Sequence, residues 1–181
     1  MTYSFFSRLP TGHRSVNVGC SFFLLATGWL ATTACGQRSF DQQLESMYRQ
    51  TVPLIRPSAL DSLRQARSVV LLDTRTPEEY AVSHLPNARF VNYDTFSAAD
   101  VSDIAKDAEV VVYCAVGYRS ERVGEQLQAA GYLHVRNLYG GIFGWKNQGY
   151  DIINPRGQPT DSVHTYNRRW SKWLQRGVKV W

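Results

Sequence analysis

The stretch that decides the fold reads Glu109-Val110-Val111-Val112-Tyr113-Cys114-Ala115-Val116-Gly117-Tyr118-Arg119-Ser120. Its first six residues are almost all apolar or β-branched, which predicts a strand buried on both faces. A helical pattern follows from Ser120 and ends before Gly131, a residue type that commonly terminates helices. We therefore expect Cys114 to lie where a buried strand passes through a short loop into a helix.

The same alternation of strands and helices extends in both directions from this stretch. Apolar runs predict further strands at residues 52–55, 68–73, 89–93 and 134–139. Helix start and stop signals predict helices at residues 58–66, from Pro77, at 98–105 and around Trp145. Near-continuous apolar strands joined by helices indicate a parallel sheet covered on both faces. The predicted fold class is α/β, a three-layer α/β/α domain with a central parallel sheet at residues 52–150.

Two chemically useful side chains, Asp73 and Cys114, lie at the carboxyl ends of predicted strands. Ligands of parallel α/β sheets bind outside those ends. The loop after Cys114 contains Gly117, which is free to adopt a positive φ and to let the backbone N–H groups turn inward. These amides, the start of the next helix and the charge of Arg119 would stabilise a thiolate. Cys114 is therefore predicted to be a nucleophile, whereas the alternative is a buried cysteine that only ends a core strand.

Several motifs in a fixed order resemble those of the rhodanese-like sulfurtransferases. The resemblance spans residues 52–150 and includes the Cys-x-x-Gly-x-Arg-Ser loop at 114–120. Two glycines of the family's Gly-His-Ile-Pro-Gly-Ala segment are replaced, by Ser83 and Asn87. The other matching segments are Leu72-Asp73-Thr74-Arg75, Glu79-Tyr80, Gly131-Tyr132 and Leu138-Tyr139-Gly140-Gly141-Ile142 with Trp145.

The resemblance implies that Cys114 carries a persulfide between a sulfur donor and an acceptor. The donor would be a small anion such as thiosulfate, and the acceptor cyanide or a thiol, with no metal and no organic cofactor. Asp73 and Arg75 would support the loop. The loop residues that would bind substrate are Ala115, Val116, Gly117, Tyr118, Arg119 and Ser120.

Two other functions use the same loop. A non-catalytic module would bind or sense an anion or a persulfide, although the intact Cys114 disfavours this. Phosphatases and arsenate reductases of the same fold resemble this chain as well, but their loop is one residue longer. Four residues separate Cys114 from Arg119, so sulfur transfer is favoured over phosphate chemistry.

Residues 1–34 have the composition of a bacterial export signal of the lipoprotein type. Arg8 and Arg14 precede an apolar run, which ends in the small residues before Cys35. Thr32 stands where the lipoprotein pattern usually has leucine, and an uncleaved anchor or simple cleavage after Ala34 are the alternatives. We expect an exported protein, periplasmic or on the outer membrane, with Cys35 lipidated. Cys114 would then be the one free thiol of the mature chain.

The remaining segments flank the domain. Residues 36–51 are predicted to be a linker or a short helix. Residues 151–181 form a basic aromatic extension with a predicted helix, whose stripe of Tyr166, Trp170, Trp173 and Leu174 would pack on the domain or lie on a membrane surface.

Nucleic-acid binding is possible by composition but is not expected of an exported protein. The chain has 20 Lys+Arg, 15 Asp+Glu and a net charge of +5. Residues 151–181 alone hold six bases and two acids, and residues 35–150 carry a net charge of −1. The basic excess therefore belongs to the two ends.

The three cysteines lack the paired short spacing of a zinc site.

We predict that Cys35→Ala abolishes lipid attachment and releases the protein from the membrane fraction. The thiol is the atom that a lipoprotein signal modifies, so alanine removes the attachment point. Metabolic labelling with a fatty acid and membrane fractionation would measure both effects. A Cys35→Ala variant that still carries lipid and stays on the membrane would contradict the lipoprotein hypothesis.

Overall fold

A five-stranded parallel sheet forms the centre of the structure, a computed structural model that describes residues 39–181. The predicted signal segment 1–34 and the predicted lipidation site Cys35 lie outside the described residues. The strand order is β1-β5-β4-β2-β3, and every pairing is parallel. The strands are β1 (Leu54–Ile55), β2 (Val70–Asp73), β3 (Ala88–Phe90), β4 (Glu109–Tyr113) and β5 (His134–Leu138).

Helices cover both faces of this sheet, which confirms the predicted α/β class. Side chains of β4 alternate between two apolar clusters: Val110 and Val112 face the cluster that includes Val123 and Leu127, and Val111 faces the opposite one. The helices are α1 (Phe40–Glu45), α2 (Pro57–Ala66), α3 (Pro77–Val82), α4 (Tyr118–Ala129), α5 (Gly141–Asn147) and α6 (Arg168–Ser171), with a short 3₁₀ helix at Ala98–Val101.

The element ends follow local capping chemistry. Thr76 begins α3 with a reciprocal capping box to Glu79, and Pro77 occupies the first turn. Gly117 precedes α4 with φ 101°, so α4 starts at Tyr118, earlier than the Ser120 predicted from the sequence. The predicted helix at 98–105 is reduced to a 3₁₀ turn, and the predicted strand at 89–93 is the shorter β3.

The segment before the sheet is an integral part of the packing. Ser39 caps α1 through a capping box. Leu44 of α1 is fully buried and Tyr48 is nearly so, and both belong to the apolar cluster that contains Val111. Of the two structures predicted for residues 36–51, the short helix is present, and it is docked on the domain.

The C-terminal extension runs across the domain as short strands and turns. β6 (Ile152–Ile153) pairs with β7 (Pro159–Thr160), and β8 (Ser162–His164) pairs in parallel with β9 (Val178–Val180). Ser83, at the end of α3, donates from its hydroxyl to the carbonyl of Ser162 at 2.6 Å. The extension is thereby attached beside α3.

The four residues predicted to form one helical stripe of the extension do not lie on a single helix. Helix α6 spans only Arg168–Ser171, and Tyr166 precedes it with φ 63°, outside the helical region. Trp173 and Leu174 are buried in the core, which accords with packing on the domain, but Tyr166 is 57% exposed. Among residues 39–181, no helix is both long and apolar enough to cross a membrane.

Candidate active site

Cys114 lies at the centre of a tight loop between β4 and α4. Its side chain is almost fully buried, and its Sγ accepts a hydrogen bond from the backbone N–H of Gly117 at 3.1 Å. The positive φ of Gly117 brings that amide back toward the sulfur. A side chain at Gly117 would also collide with the Tyr48 hydroxyl, because an added Cβ would lie 2.3 Å from that oxygen. Glycine is therefore required at this position for two independent reasons.

The carbonyls of the loop are all bonded to groups outside it. The carbonyls of Cys114 and Ala115 accept from the backbone N–H groups of Ile142 and Phe143 in α5, at 2.9 and 3.1 Å. Close approach of α5 to the loop requires glycine at 141, where an added Cβ would lie 2.3 Å from the Cys114 carbonyl.

The next two carbonyls are held by side chains. The Val116 carbonyl accepts from the Tyr48 hydroxyl at 2.6 Å, and the Gly117 carbonyl accepts from Asn137 Nδ2 at 2.9 Å. The same Tyr48 hydroxyl accepts from the backbone N–H of Gly140 at 2.9 Å. Tyr48 thus joins the loop to the start of α5, and its burial raises its pKa, so the hydroxyl stays protonated.

Anchoring of the carbonyls leaves amides of the loop available for an anion. Within the described residues, no protein acceptor bonds the backbone N–H groups of Ala115, Val116, Tyr118, Arg119 and Ser120. A run of such amides at the start of a helix is an anion-binding cradle.

Ser120 supports the loop with its side chain. It is fully buried, and its hydroxyl donates to Asn137 Oδ1 at 2.7 Å. Asn137 in turn holds the Gly117 carbonyl. The Ser120 hydroxyl is therefore directed into the protein, and only its amide is left for the predicted contact with substrate.

Arg119 forms a bidentate ion pair with Glu79 of α3. The two guanidinium nitrogens lie 2.7 and 2.8 Å from the carboxylate oxygens. Glu79 is fully buried, and burial alone would raise its pKa. The hydrogen bonds and charge of Arg119 outweigh burial and hold the pKa of Glu79 below its usual value. The positive charge of Arg119 that was expected beside Cys114 is therefore present, but the carboxylate of Glu79 neutralises it.

Asp73 and Arg75 form a second buried ion pair, which braces the neighbouring strand end. Arg75 Nε and Nη2 donate to the Asp73 carboxylate at 2.9 and 2.7 Å, and Nη2 also donates to the Ser83 carbonyl. Burial lowers the pKa of Arg75, but the Asp73 charge outweighs this effect and the net change is upward. Thr74, between them, donates from its backbone N–H to the carbonyl of Tyr113 at 2.8 Å. The pair therefore lies behind the loop, consistent with a supporting position.

A cavity of about 420 Å³ opens above Cys114. Several of its residues were not identified from the sequence as part of a site: Met47, Thr76, Tyr93, Asp94, Tyr166 and Trp170. Glu79 belongs to a motif that the sequence analysis identified, but neither Glu79 nor Tyr48 was predicted as a site residue. Aromatic residues in the C-terminal extension were the signal available in the sequence, and that signal predicted packing on the domain or contact with a membrane surface.

Comparisons with known proteins agree on one family. A family model, the rhodanese-like domain, matches residues 56–148. The chain is 38% identical over 95 residues to a sulfurtransferase of Allochromatium vinosum, covering 52% of this chain and 88% of that protein. It is 33% identical over 123 residues to an adenylyltransferase and sulfurtransferase of Candida albicans, covering 64% of this chain but 27% of that protein.

A solved structure, the thiosulfate sulfurtransferase from Pseudomonas aeruginosa, matches with a TM-score of 0.53 at 26% sequence identity. The match covers 64% of this chain and 22% of that one. The chain thus spans most of the Allochromatium relative and about a quarter of the two longer proteins.

We predict that Tyr48→Phe lowers the free energy of unfolding by about 1–3 kcal/mol, because it leaves the Val116 carbonyl and the Gly140 amide buried without their partner. Urea denaturation would measure the change. Tyr150→Phe is the matched control, since the structure gives the Tyr150 hydroxyl no hydrogen bond to the described residues. Equal stability of the two variants would contradict the bridging role of Tyr48.

We predict that Glu79→Gln destabilises the protein by about 3 kcal/mol near neutral pH, because Arg119 loses its partner. The pKa of Glu79 is lower in the folded than in the unfolded protein. Its stabilising effect is therefore complete above about pH 5 and is lost as the pH falls below about 4. Urea denaturation in a pH series that runs from neutral pH to well below about 4 would show the stability difference between wild type and Glu79→Gln narrowing in acid. Glu78→Gln, at the exposed neighbouring position, is the control. A stability difference between wild type and Glu79→Gln that stays constant with pH would contradict the pairing.

Proposed function

The chain belongs to the rhodanese-like domain family, and we propose that it is a sulfurtransferase that carries sulfane sulfur as a persulfide on Cys114. The observation that carries the proposal is the run of loop amides that have no acceptor among residues 39–181, beside a nearly buried cysteine sulfur. The sulfurtransferase names of the Allochromatium and Candida relatives support the same reaction class.

In the first half-reaction, the Cys114 thiolate attacks the outer sulfur of a donor. With thiosulfate, a new S–S bond forms on Cys114, the S–S bond of thiosulfate breaks, and its electron pair leaves with sulfite. This is nucleophilic covalent catalysis. The loop amides that lack protein acceptors would stabilise the negative charge that stays on the terminal sulfur.

In the second half-reaction, an acceptor removes that terminal sulfur. Cyanide or a thiolate attacks it, the persulfide S–S bond breaks, and the Cys114 thiolate is restored as thiocyanate or an acceptor persulfide leaves. Cys114 is the one cysteine among residues 39–181. An external acceptor is therefore needed to complete the cycle within this part of the chain.

The size of the loop favours sulfur over phosphate as the group carried. Four residues separate Cys114 from Arg119, and the Gly117 amide already lies 3.1 Å from Sγ. Each terminal nitrogen of Arg119 donates to Glu79, so the charge of Arg119 is shared with that carboxylate. An unbranched Cys–S–S group with one terminal sulfur would need only the amides.

We also propose that the enzyme acts in the bacterial cell envelope as an exported lipoprotein attached through Cys35. This rests on the sequence of residues 1–35. Its donor and acceptor would then be molecules that reach the envelope. In that compartment a lone catalytic thiol is exposed to oxidants, and burial of Cys114 limits its access to them.

We predict that wild-type protein incubated with thiosulfate gains the mass of one sulfur atom, and that Cys114→Ser gains none. The variant would also lose thiosulfate:cyanide sulfurtransferase activity, because serine does not form the persulfide. Intact-mass spectrometry and thiocyanate production would measure the two effects. Cys35→Ser is the matched control and is expected to keep the adduct.

Activity that persists in Cys114→Ser would contradict the assignment. Wild-type protein that binds thiosulfate reversibly, with neither adduct nor thiocyanate, would instead identify a binding or sensing module.

A further inference from the structure

The last part of the C-terminal extension is basic and contains no acid. Residues 166–181 hold five bases, whereas all 15 acids of the chain lie at residues 41–161. The five bases are exposed, as are three large apolar or aromatic side chains of the same segment. We call these eight exposed residues the basic patch: Tyr166, Arg168, Arg169, Lys172, Arg176, Val178, Lys179 and Trp181.

The bases of the patch are not used to hold the domain together. Eight of the twelve bases that the structure describes at residues 39–165 form ion pairs with carboxylates. None of the five bases of the patch forms such a pair within residues 39–181. A group of exposed bases without acidic partners produces a positive potential, which attracts an anionic surface.

Aromatic and apolar side chains are exposed among these bases. Only six large apolar or aromatic side chains of residues 39–181 are exposed, and three of the six belong to the patch. The Arg168 guanidinium lies 5.3 Å from the centre of the Trp181 ring, so the start and the end of the segment meet. The backbone N–H of Thr165 donates to the Val180 carbonyl at 2.7 Å and fixes the same approach. Tyrosine and tryptophan beside exposed bases are typical of a protein surface that lies at a membrane–water interface.

The start of the described chain lies against the segment that carries the patch. Phe40, the first residue of α1, stacks on Trp173 with the ring centres 5.7 Å apart. The Lys172 ammonium lies 4.6 Å from the centre of the same Trp173 ring. The Cys35 position is four residues before Ser39, a separation of at most about 15 Å in a fully extended chain. A lipid on Cys35 would therefore keep the patch within reach of the bilayer.

We propose that the basic patch binds the anionic phospholipid headgroups of the membrane that carries the protein. The inference rests on the proposed envelope lipoprotein and adds a second contact with the same bilayer. Bases are attracted to an anionic bilayer over about a Debye length, and exposed aromatic rings enter its headgroup region. The expected position of the anchor, so close to α1, favours this partner over an acidic protein.

The patch borders the cavity above Cys114, because Tyr166 belongs to both. A lipid anchor alone leaves a domain free to rotate about its tether. Binding of the patch to headgroups gives the tethered domain one orientation, in which the mouth of the cavity lies beside the membrane surface.

The test measures the acylation of individual lysines by an amine-reactive reagent, with the full wild-type chain reconstituted in vesicles. One set of vesicles is phosphatidylcholine, and the other contains phosphatidylglycerol as about one-third of the lipid, which supplies the anionic surface. Lys172 and Lys179 are expected to react about fivefold or more slowly in the anionic vesicles. Lys106 is the internal control, since it is exposed near the amino end of β4, the end opposite Cys114. Its rate is expected to be the same in both sets.

Salt and charge variants show whether the protection is electrostatic. At about 1 M salt the Debye length falls to about 3 Å, and the protection of both lysines is expected to disappear. Arg168→Gln/Arg169→Gln is expected to lose most of the protection, because each base near an anionic surface changes binding about fivefold. Lys106→Gln/Arg156→Gln is the matched control. It removes the same charge from exposed bases outside the patch and is expected to keep the protection of Lys172 and Lys179.

Equal acylation of Lys172 and Lys179 in the two kinds of vesicle would overturn the proposal, and this comparison needs no variant to fold. Equal loss of protection in the two double variants would overturn it as well. Protection by added polyglutamate, without protection by phosphatidylglycerol, would replace the lipid with an acidic protein as the partner.

The anchor, the patch and the chemistry fail separately. If Cys35 carries no lipid and phosphatidylglycerol still protects the two lysines, the patch assignment stands and the lipoprotein proposal is refuted. If Cys35 carries lipid and phosphatidylglycerol has no effect, only the patch assignment is refuted. The sulfur adduct on Cys114 tests sulfur transfer independently of both.

Discussion

The site depends on the outward anchoring of the four carbonyls between Cys114 and Gly117. A peptide unit whose carbonyl is bonded on one side presents its N–H on the other. The loop therefore directs amides inward only because α5, Tyr48 and Asn137 hold its carbonyls. These partners come from three separate parts of the chain. The cradle is consequently a property of the folded domain, and the Cys-to-Ser loop sequence does not create it alone.

Close packing around the loop leaves little freedom for substitution. Gly117 and Gly141 are both positions where a Cβ would approach within 2.3 Å of a neighbouring oxygen. Two buried ion pairs, Arg75 with Asp73 and Arg119 with Glu79, secure the neighbouring strand and helix. Buried pairs of this kind contribute little net stability compared with apolar residues of equal size, but losing one partner is costly. Their value here is that they position α3 and the ends of β2 and β4.

The sheet and the loop were predictable from the sequence because both depend on local pattern. The apolar runs at 68–73 and 109–114 predicted β2 and β4, and the parallel arrangement placed Asp73 and Cys114 at one edge. The partners of Arg119 and of the Val116 carbonyl were not predictable in this way. Glu79 is 40 positions from Arg119, and Tyr48 is 68 from Val116. Contacts at such separations follow from tertiary packing, and helical periodicity says nothing about them. The same limit applies to Tyr166 and Trp170, whose spacing suggested one helix although the chain turns at Tyr166.

Pairing of Arg119 with Glu79 has a consequence for how an anion approaches. The ion pair is neutral as a whole, so the attraction that remains at the base of the cavity comes from peptide dipoles. The field of a dipole declines with distance more steeply than that of a net charge. It acts within a few ångströms, well inside the Debye length of about 8 Å at physiological ionic strength. The site would therefore hold an anion on contact without drawing it from solution, and we expect its capture to be largely insensitive to salt.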